Sequence, residues 1–146
     1  MLSDKSVSFL MTADDLVTVD IADNLSRARQ LLSERAIHHL PVLDDGKLVG
    51  ILSSTDLLRL GVGTEYLDDD TLDARLDASF KIEQVMEKSL VTLRPKDPLL
   101  RAAQLLHQES FHSLPVVDEV GELVGILTTR DLLGFMIEED RDKTDS

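Results

Sequence analysis

The chain has 146 residues, 42% of them apolar, 3% aromatic, and no cysteine. That length suits one compact domain or two intimately packed half-size units, and the missing cysteine excludes disulfide frameworks, thiolate metal sites and thiol nucleophiles. A formal charge of −13 with 15 scattered Lys and Arg argues against nucleic acid or an anionic membrane as partner and makes close, preorganised donors the basis of any phosphate site.

The opening MLSDKSVSFLMTADD holds no sustained apolar run and is not a secretory signal. No stretch approaches the ~20 apolar residues that span a bilayer, so the expectation is a cytoplasmic protein. Within the opening, Val7, Leu10 and Met11 are spaced i, i+3, i+4, which predicts one or two helical turns. A brief extended run, Leu16-Val17-Thr18-Val19, follows. Next comes a helix that Asp23 or Asn24 can cap, with Leu25, Ala28, Leu31 and Leu32 on one apolar face. Two strands then form a hairpin, Leu40-Pro41-Val42-Leu43 and Lys47–Leu52, joined by Asp44-Asp45-Gly46 with the glycine in the left-handed turn position. Proline stands at the strand start, where its missing N–H is tolerated. A short helix begins near Ser54.

The segment GVGTEYLDDDTLDARLDASF comes next. Gly61 and Gly63 break the preceding helix, and Asp70 can cap a short one through Leu72 and Leu76. The simplest reading is a solvated, partly helical linker over 61–75.

The same order then returns. Ile82, Val85 and Met86 repeat the opening spacing, and Leu90-Val91-Thr92-Leu93 repeats the extended run. Asp97 can cap the next helix, with Pro98 at its first position and Leu99, Ala102, Leu105 and Leu106 on its face. Leu114–Val117 and Glu122–Leu127 flank a turn at Asp118–Gly121, and a helix starts near Thr129. Aligning Leu16–Leu58 with Leu90–Leu133, and setting Val120 aside as an insertion, gives 24 identities in 43 positions. A repeat period of about 74 residues is too long for a solenoid and marks a duplication. The prediction is an α/β (α+β) chain of two β-α-β-β-α units with pseudo-twofold symmetry, ending in a charged, frayed tail over 138–146.

Ser53-x-x-Asp56 and Thr128-x-x-Asp131 fit a helix capping box. Glu is the better reciprocal cap, and a carboxylate fixed there also has oxygens to accept from vicinal ribose hydroxyls. The helix start adds N–H groups suited to an anion. No G-x-S-x-G elbow or G-x-x-x-x-G-K-[ST] loop occurs, which speaks against an enzyme. His38 and His112 stand at equivalent positions, and two histidines are too few for a zinc site.

The run from His39 to Asp56 closely resembles the signature of the CBS domain, named after cystathionine β-synthase, and so does Ser113 to Asp131. The resemblance covers roughly residues 2–60 and 76–137. The tandem resembles a CBS pair, or Bateman module, standing without an enzyme or transporter domain. It implies adenosine-type ligands, AMP, ADP, ATP or S-adenosylmethionine, with Mg2+ as a possible companion ion, bound in a cleft between the repeats. It also implies a homodimer and an unidentified regulated protein.

The resemblance further implies particular contacts. Asp56 and Asp131 would hold ribose, with Ser53 and Thr128 facing the sugar or phosphate. Thr18 and Thr92 would lie near base or sugar. Backbone of Ile37, His38, His39 and of Phe111, His112, Ser113, ahead of Pro41 and Pro115, would read the adenine edge. His38 and His112 would serve phosphate. Apart from the resemblance, the charge of Arg130, whose counterpart is Thr55, makes it either a phosphate donor or a solvated helix residue. The second copy is therefore the expected better nucleotide site. The competing expectation is a structural dimerisation or adaptor module that needs no ligand.

Overall fold

The structure, a computed structural model, describes residues 1–61, 67–109 and 111–145. In chain order the elements are α1 (Val7–Leu10), β1 (Val19–Asp20), α2 (Leu25–Glu34), β2 (His39–Asp44), β3 (Lys47–Ser53), α3 (Ser54–Leu60), α4 (Asp69–Ser79), α5 (Ile82–Val85), α6 (Leu99–Gln108), β4 (Ser113–Val117), β5 (Leu123–Thr128) and α7 (Thr129–Asp145). Helices and strands mix as the sequence predicts. No helix among the described residues is long and apolar enough to cross a membrane.

Two compact units divide the chain, Val17–Leu90 and Met1–Leu16 with Val91–Ser146. This division is not that of the sequence repeats. The opening segment of each copy packs with the hairpin of the other copy.

In the Val17–Leu90 unit the sheet order is β1-β2-β3, with β1 parallel and β3 antiparallel to β2. Leu25, Ala28, Leu40, Leu52 and Ile82 are fully buried in its core. Alternation and the 3.6-residue period put these side chains on the inner face of each element. The outer edge of β3 is closed by Glu87, whose N–H and C=O both bond to Ile51. Ile51 therefore spends its backbone groups away from β2, and Pro41, its partner across the ladder, has no bond there to lose. Pro41 is the third residue of its strand, not the first, and this pairing is what lets it sit there.

The other unit repeats the device. β4 and β5 pair antiparallel, and Thr12 closes the outer edge by two bonds to Ile126, the residue opposite Pro115. Val7, Leu93, Leu99, Leu114 and Leu127 form its core. Gly50 and Gly125 make these closures possible. A Cβ on Gly50 would overlap the Met86 thioether and come within 3.2 Å of the Glu87 carbonyl, and one on Gly125 would meet Met11 and the Thr12 carbonyl in the same way.

Several expectations are corrected. The first extended run pairs over Val19–Asp20 alone, and its counterpart shrinks to a single parallel bridge, Leu93 to Val116. Asn24 occupies the N-cap of α2, yet its side chain makes no cap bond, and Asp23 accepts from Asp20 N–H instead. The α2 start is capped from a distance: Asp77 accepts from Ser26 N–H at 2.9 Å and from the Ser26 hydroxyl at 2.6 Å. Pro98 is the N-cap of α6 rather than its first helical residue. Asp97 accepts from Arg94 N–H, and the Lys5 and Leu2 carbonyls receive the Leu99 and Leu100 amides.

The helix expected through Leu72 and Leu76 in the partly helical linker is α4, but it is capped by Asp68 rather than Asp70. Hydrogen bonding from the Thr71 side chain, and then from its N–H, holds the Asp68 carboxyl below its ordinary pKa. Leu76 enters the core, and Asp73 grips Arg29 of α2 along one edge of its guanidinium, Nε to Oδ1 and Nη2 to Oδ2, the latter at 2.9 Å. Gly61 closes α3 as expected, while Gly63 lies outside the described residues. The expected frayed tail is instead helical, because α7 continues to Asp145. An Arg141–Glu138 pair at 3.3 Å and a bond from the Met1 ammonium to Glu139 at 2.6 Å brace that stretch.

Candidate functional site

In each unit the predicted site residues collect where the hairpin ends and a helix begins. In the Val17–Leu90 unit, α2 stops at Arg35, and Ala36 takes the left-handed conformation at φ 51°. Ile37 N–H then reaches back to the Leu32 carbonyl at 3.1 Å, a Schellman closure with Ile37 folded onto the core. The turn leaves His38 exposed and starts β2 at His39, which pairs with Ser53. Ser54 N–H donates to the His38 carbonyl at 2.9 Å, tying the first helical amide of α3 to the chain ahead of β2. The Ser54 hydroxyl lies 3.4 Å from His38 Nδ1.

The second copy follows the same plan. Ser113 pairs with Thr128, and Thr129 N–H donates to the His112 carbonyl at 2.9 Å. Phe111 is half-buried against the core, and His112 is exposed.

Both capping boxes form. Asp56 N–H donates to Ser53 Oγ at 3.0 Å, and Ser53 N–H donates to Asp56 Oδ2 at 3.2 Å. The equivalent bonds between Thr128 and Asp131 are 3.1 and 2.9 Å. The local capping role and a ligand role are compatible, since each box consumes one carboxylate oxygen and the hydroxyl's acceptor side. The hydroxyl hydrogen and the second oxygen remain.

The boxes and the histidine carbonyls occupy three of the four amides at each helix start. The amides of Thr55 and Arg130 alone meet no acceptor among the described residues. The anion capacity expected of these termini is thus reduced to one N–H apiece.

The two copies differ in what reaches the second oxygen. Arg59 Nη1 stands 3.8 Å from Asp56 Oδ1. Asp131 Oδ1 meets no donor among the described residues, and Gly134 replaces Arg59 in the alignment. Arg130 is exposed and carries no ion pair among the described residues. A groove of about 1090 Å³ borders Arg130, Asp131, Gly134 and Phe9.

Thr18 and Thr92 sit one residue before the parallel contacts Val19–Val42 and Leu93–Val116, level with Pro41 and Pro115. Both threonines are half-buried and both prolines buried, so the prolines position backbone and offer no exposed side chain. Sequence reasoning missed Arg59 and Gly134. Comparing the repeats one turn past each Asp would have found them.

A family model described as CBS domain matches residues 6–63 and 82–138. A CBS domain-containing protein of Dictyostelium discoideum is 34% identical over 131 residues, covering 88% of this chain and 89% of that one. A homoserine O-acetyltransferase of Methanohalobium evestigatum is 31% identical over 139 residues; the match takes in 94% of this chain but 25% of the enzyme. Among solved structures, CBSX2 of Arabidopsis thaliana in complex with AMP is 31% identical with a TM-score of 0.76, over 92% of this chain and 98% of that chain.

Proposed function

This chain belongs to the CBS-domain family, and on that footing we propose that it is a regulatory binding module for an adenosine-type ligand, AMP foremost, held through Asp131. The observation that carries the reading is the divided use of the Asp131 carboxylate. One oxygen fixes the start of α7, and the other is open to a sugar hydroxyl. Beside it the Thr128 hydroxyl keeps its hydrogen to donate, and the Arg130 amide and guanidinium supply positive charge in an otherwise acidic chain. The AMP complex of CBSX2, a relative similar over nearly the whole chain, supports AMP as the first ligand to test.

No three His, Asp or Glu side chains gather for a metal among the described residues. An ion arriving with a nucleotide would belong to the ligand's phosphates.

Isothermal titration of the nucleotide-stripped chain with AMP, ADP, ATP and S-adenosylmethionine tests the reading. Saturable binding of AMP is the expected result. Heats indistinguishable from dilution for all four would end it.

A second reading, pairing of copies without ligand, is favoured by Leu133, Met136 and Ile137, each at least half exposed along α7. Sedimentation with and without AMP separates the two. Pairing that is indifferent to AMP, together with no titration heat, would favour this alternative.

A further inference from the structure

We propose that the residue one turn after each carboxylate, Arg59 in the first copy and Gly134 in the second, biases ligand binding toward the second copy. The inference rests on the ribonucleotide reading above and goes further, because it assigns a selecting role to two residues outside the capping boxes.

Both oxygens of Asp56 face donors. Oδ2 accepts from Ser53 N–H, and Oδ1 is paired with the Arg59 guanidinium. A ligand hydroxyl approaching Asp56 competes with a group the chain already supplies. Asp131 has the same first bond, and its Oδ1 has no second partner among the described residues. A Cβ placed on Gly134 meets nothing within 4 Å, so the space a side chain would occupy is open. The groove that passes Asp131 and Gly134 is where an arginine at 134 would extend. Glycine is the least favourable residue after proline in a helix interior. Filling position 134 therefore supports α7, and a loss of binding there is not a loss of fold.

The Arg59–Asp56 pair is long, and Arg59 is 76% exposed, so it biases the site without sealing it. An exposed pair of this kind corresponds to about a two- to fivefold change in affinity.

The test is AMP titration of the full chain, with thermal unfolding of every variant as the fold check. Gly134→Arg is expected to bind AMP about two- to fivefold more weakly than Gly134→Gln, which extends from the same position without the charge. In a chain carrying Asp131→Asn, adding Arg59→Gln is expected to strengthen or restore AMP binding at the first copy. Gly134→Arg binding as tightly as Gly134→Gln would overturn the proposal. So would Arg59→Gln failing to improve binding in the Asp131→Asn chain, or weakening it, which would make the guanidinium a phosphate donor. Absence of AMP binding by the unsubstituted chain would instead overturn the ribonucleotide reading itself.

Discussion

Met11 crosses Gly125 so closely that a methyl group on the glycine would overlap the methionine thioether, and Met86 crosses Gly50 in the same way. Both glycines have room for a chain to pass because they have no side chain. Each crossing leads into the residue that closes the hairpin edge, Thr12 in one case and Glu87 in the other.

Gly125→Ala is expected to destabilise the chain by about 1–3 kcal/mol, the usual penalty for overpacking. The methionine can move, but the Thr12 carbonyl at 3.2 Å is backbone and yields less. Adding Met11→Ala should recover part of the loss, so the double variant is less destabilised than the sum of the singles. Urea unfolding measures this. Strict additivity would mean that the two residues do not press on each other.

Asp77→Ala is expected to cost about 0.5–2 kcal/mol, the range for a lost helix cap. Asp77, 51 residues away in sequence, holds the amide and hydroxyl of Ser26 at the start of α2. Asn24→Ala, at the formal N-cap position, should cost much less, because its side chain makes no cap bond. Equal losses in denaturant titrations would contradict the assignment of the cap to Asp77.

Acid should loosen the Val17–Leu90 unit through Asp73. The hydrogen bond from Arg29 is the main cause that holds the Asp73 carboxyl below its ordinary pKa, and the same bond raises that of Arg29. A carboxyl with a depressed folded pKa contributes stability above its unfolded pKa of ~3.9, and loses it as pH falls through the folded value. Stability measured from pH 6 down to pH 2 should therefore fall less steeply in Asp73→Asn than in the parent chain. At neutral pH the variant should be weaker by about 1–3 kcal/mol, as for a hydrogen bond to a charged group. Parallel pH profiles would show that the pair contributes nothing in acid.

Asp131→Asn is expected to weaken AMP binding by about 10- to 150-fold, the equivalent of about 1.5–3 kcal/mol for a charged hydrogen bond, and by more than Asp56→Asn. The amide oxygen can still accept from Thr128 N–H, so the start of α7 is kept. If the carboxylate holds ribose, 2′-deoxy-AMP should bind more weakly than AMP to the parent chain, with the difference reduced in Asp131→Asn. Equal affinities for the two nucleotides would remove ribose from Asp131.

The parts of the fold written in local spacing were legible in the sequence. Leu25, Ala28, Leu31 and Leu32 repeat at the helical period and are all buried, and both Ser/Thr-x-x-Asp boxes close within a single turn. What escaped depends on residues far apart along the chain. The α2 cap comes from α4, and the acidic run around Asp73 reads as solvated until Arg29 is known to face it. The first extended run is short because its pairing is limited to Val42 and Leu43. At the candidate site, Asp56 and Asp131 look alike in sequence. Their difference lies one turn downstream, where Arg59 answers one carboxylate and Gly134 leaves the other without a counterion among the described residues.

The trading of opening segments limits how the chain can be divided. A half-length product ending after α3 would keep β2 and β3 but lose Glu87, leaving Ile51 with an unpaired backbone edge. It would also carry Thr12 with no Ile126 to receive it. Two such halves could satisfy each other by reciprocal donation, so the natural behaviour of an isolated half is association with a twin. Fusing the two halves in tandem turns that concentration-dependent exchange into an intramolecular one.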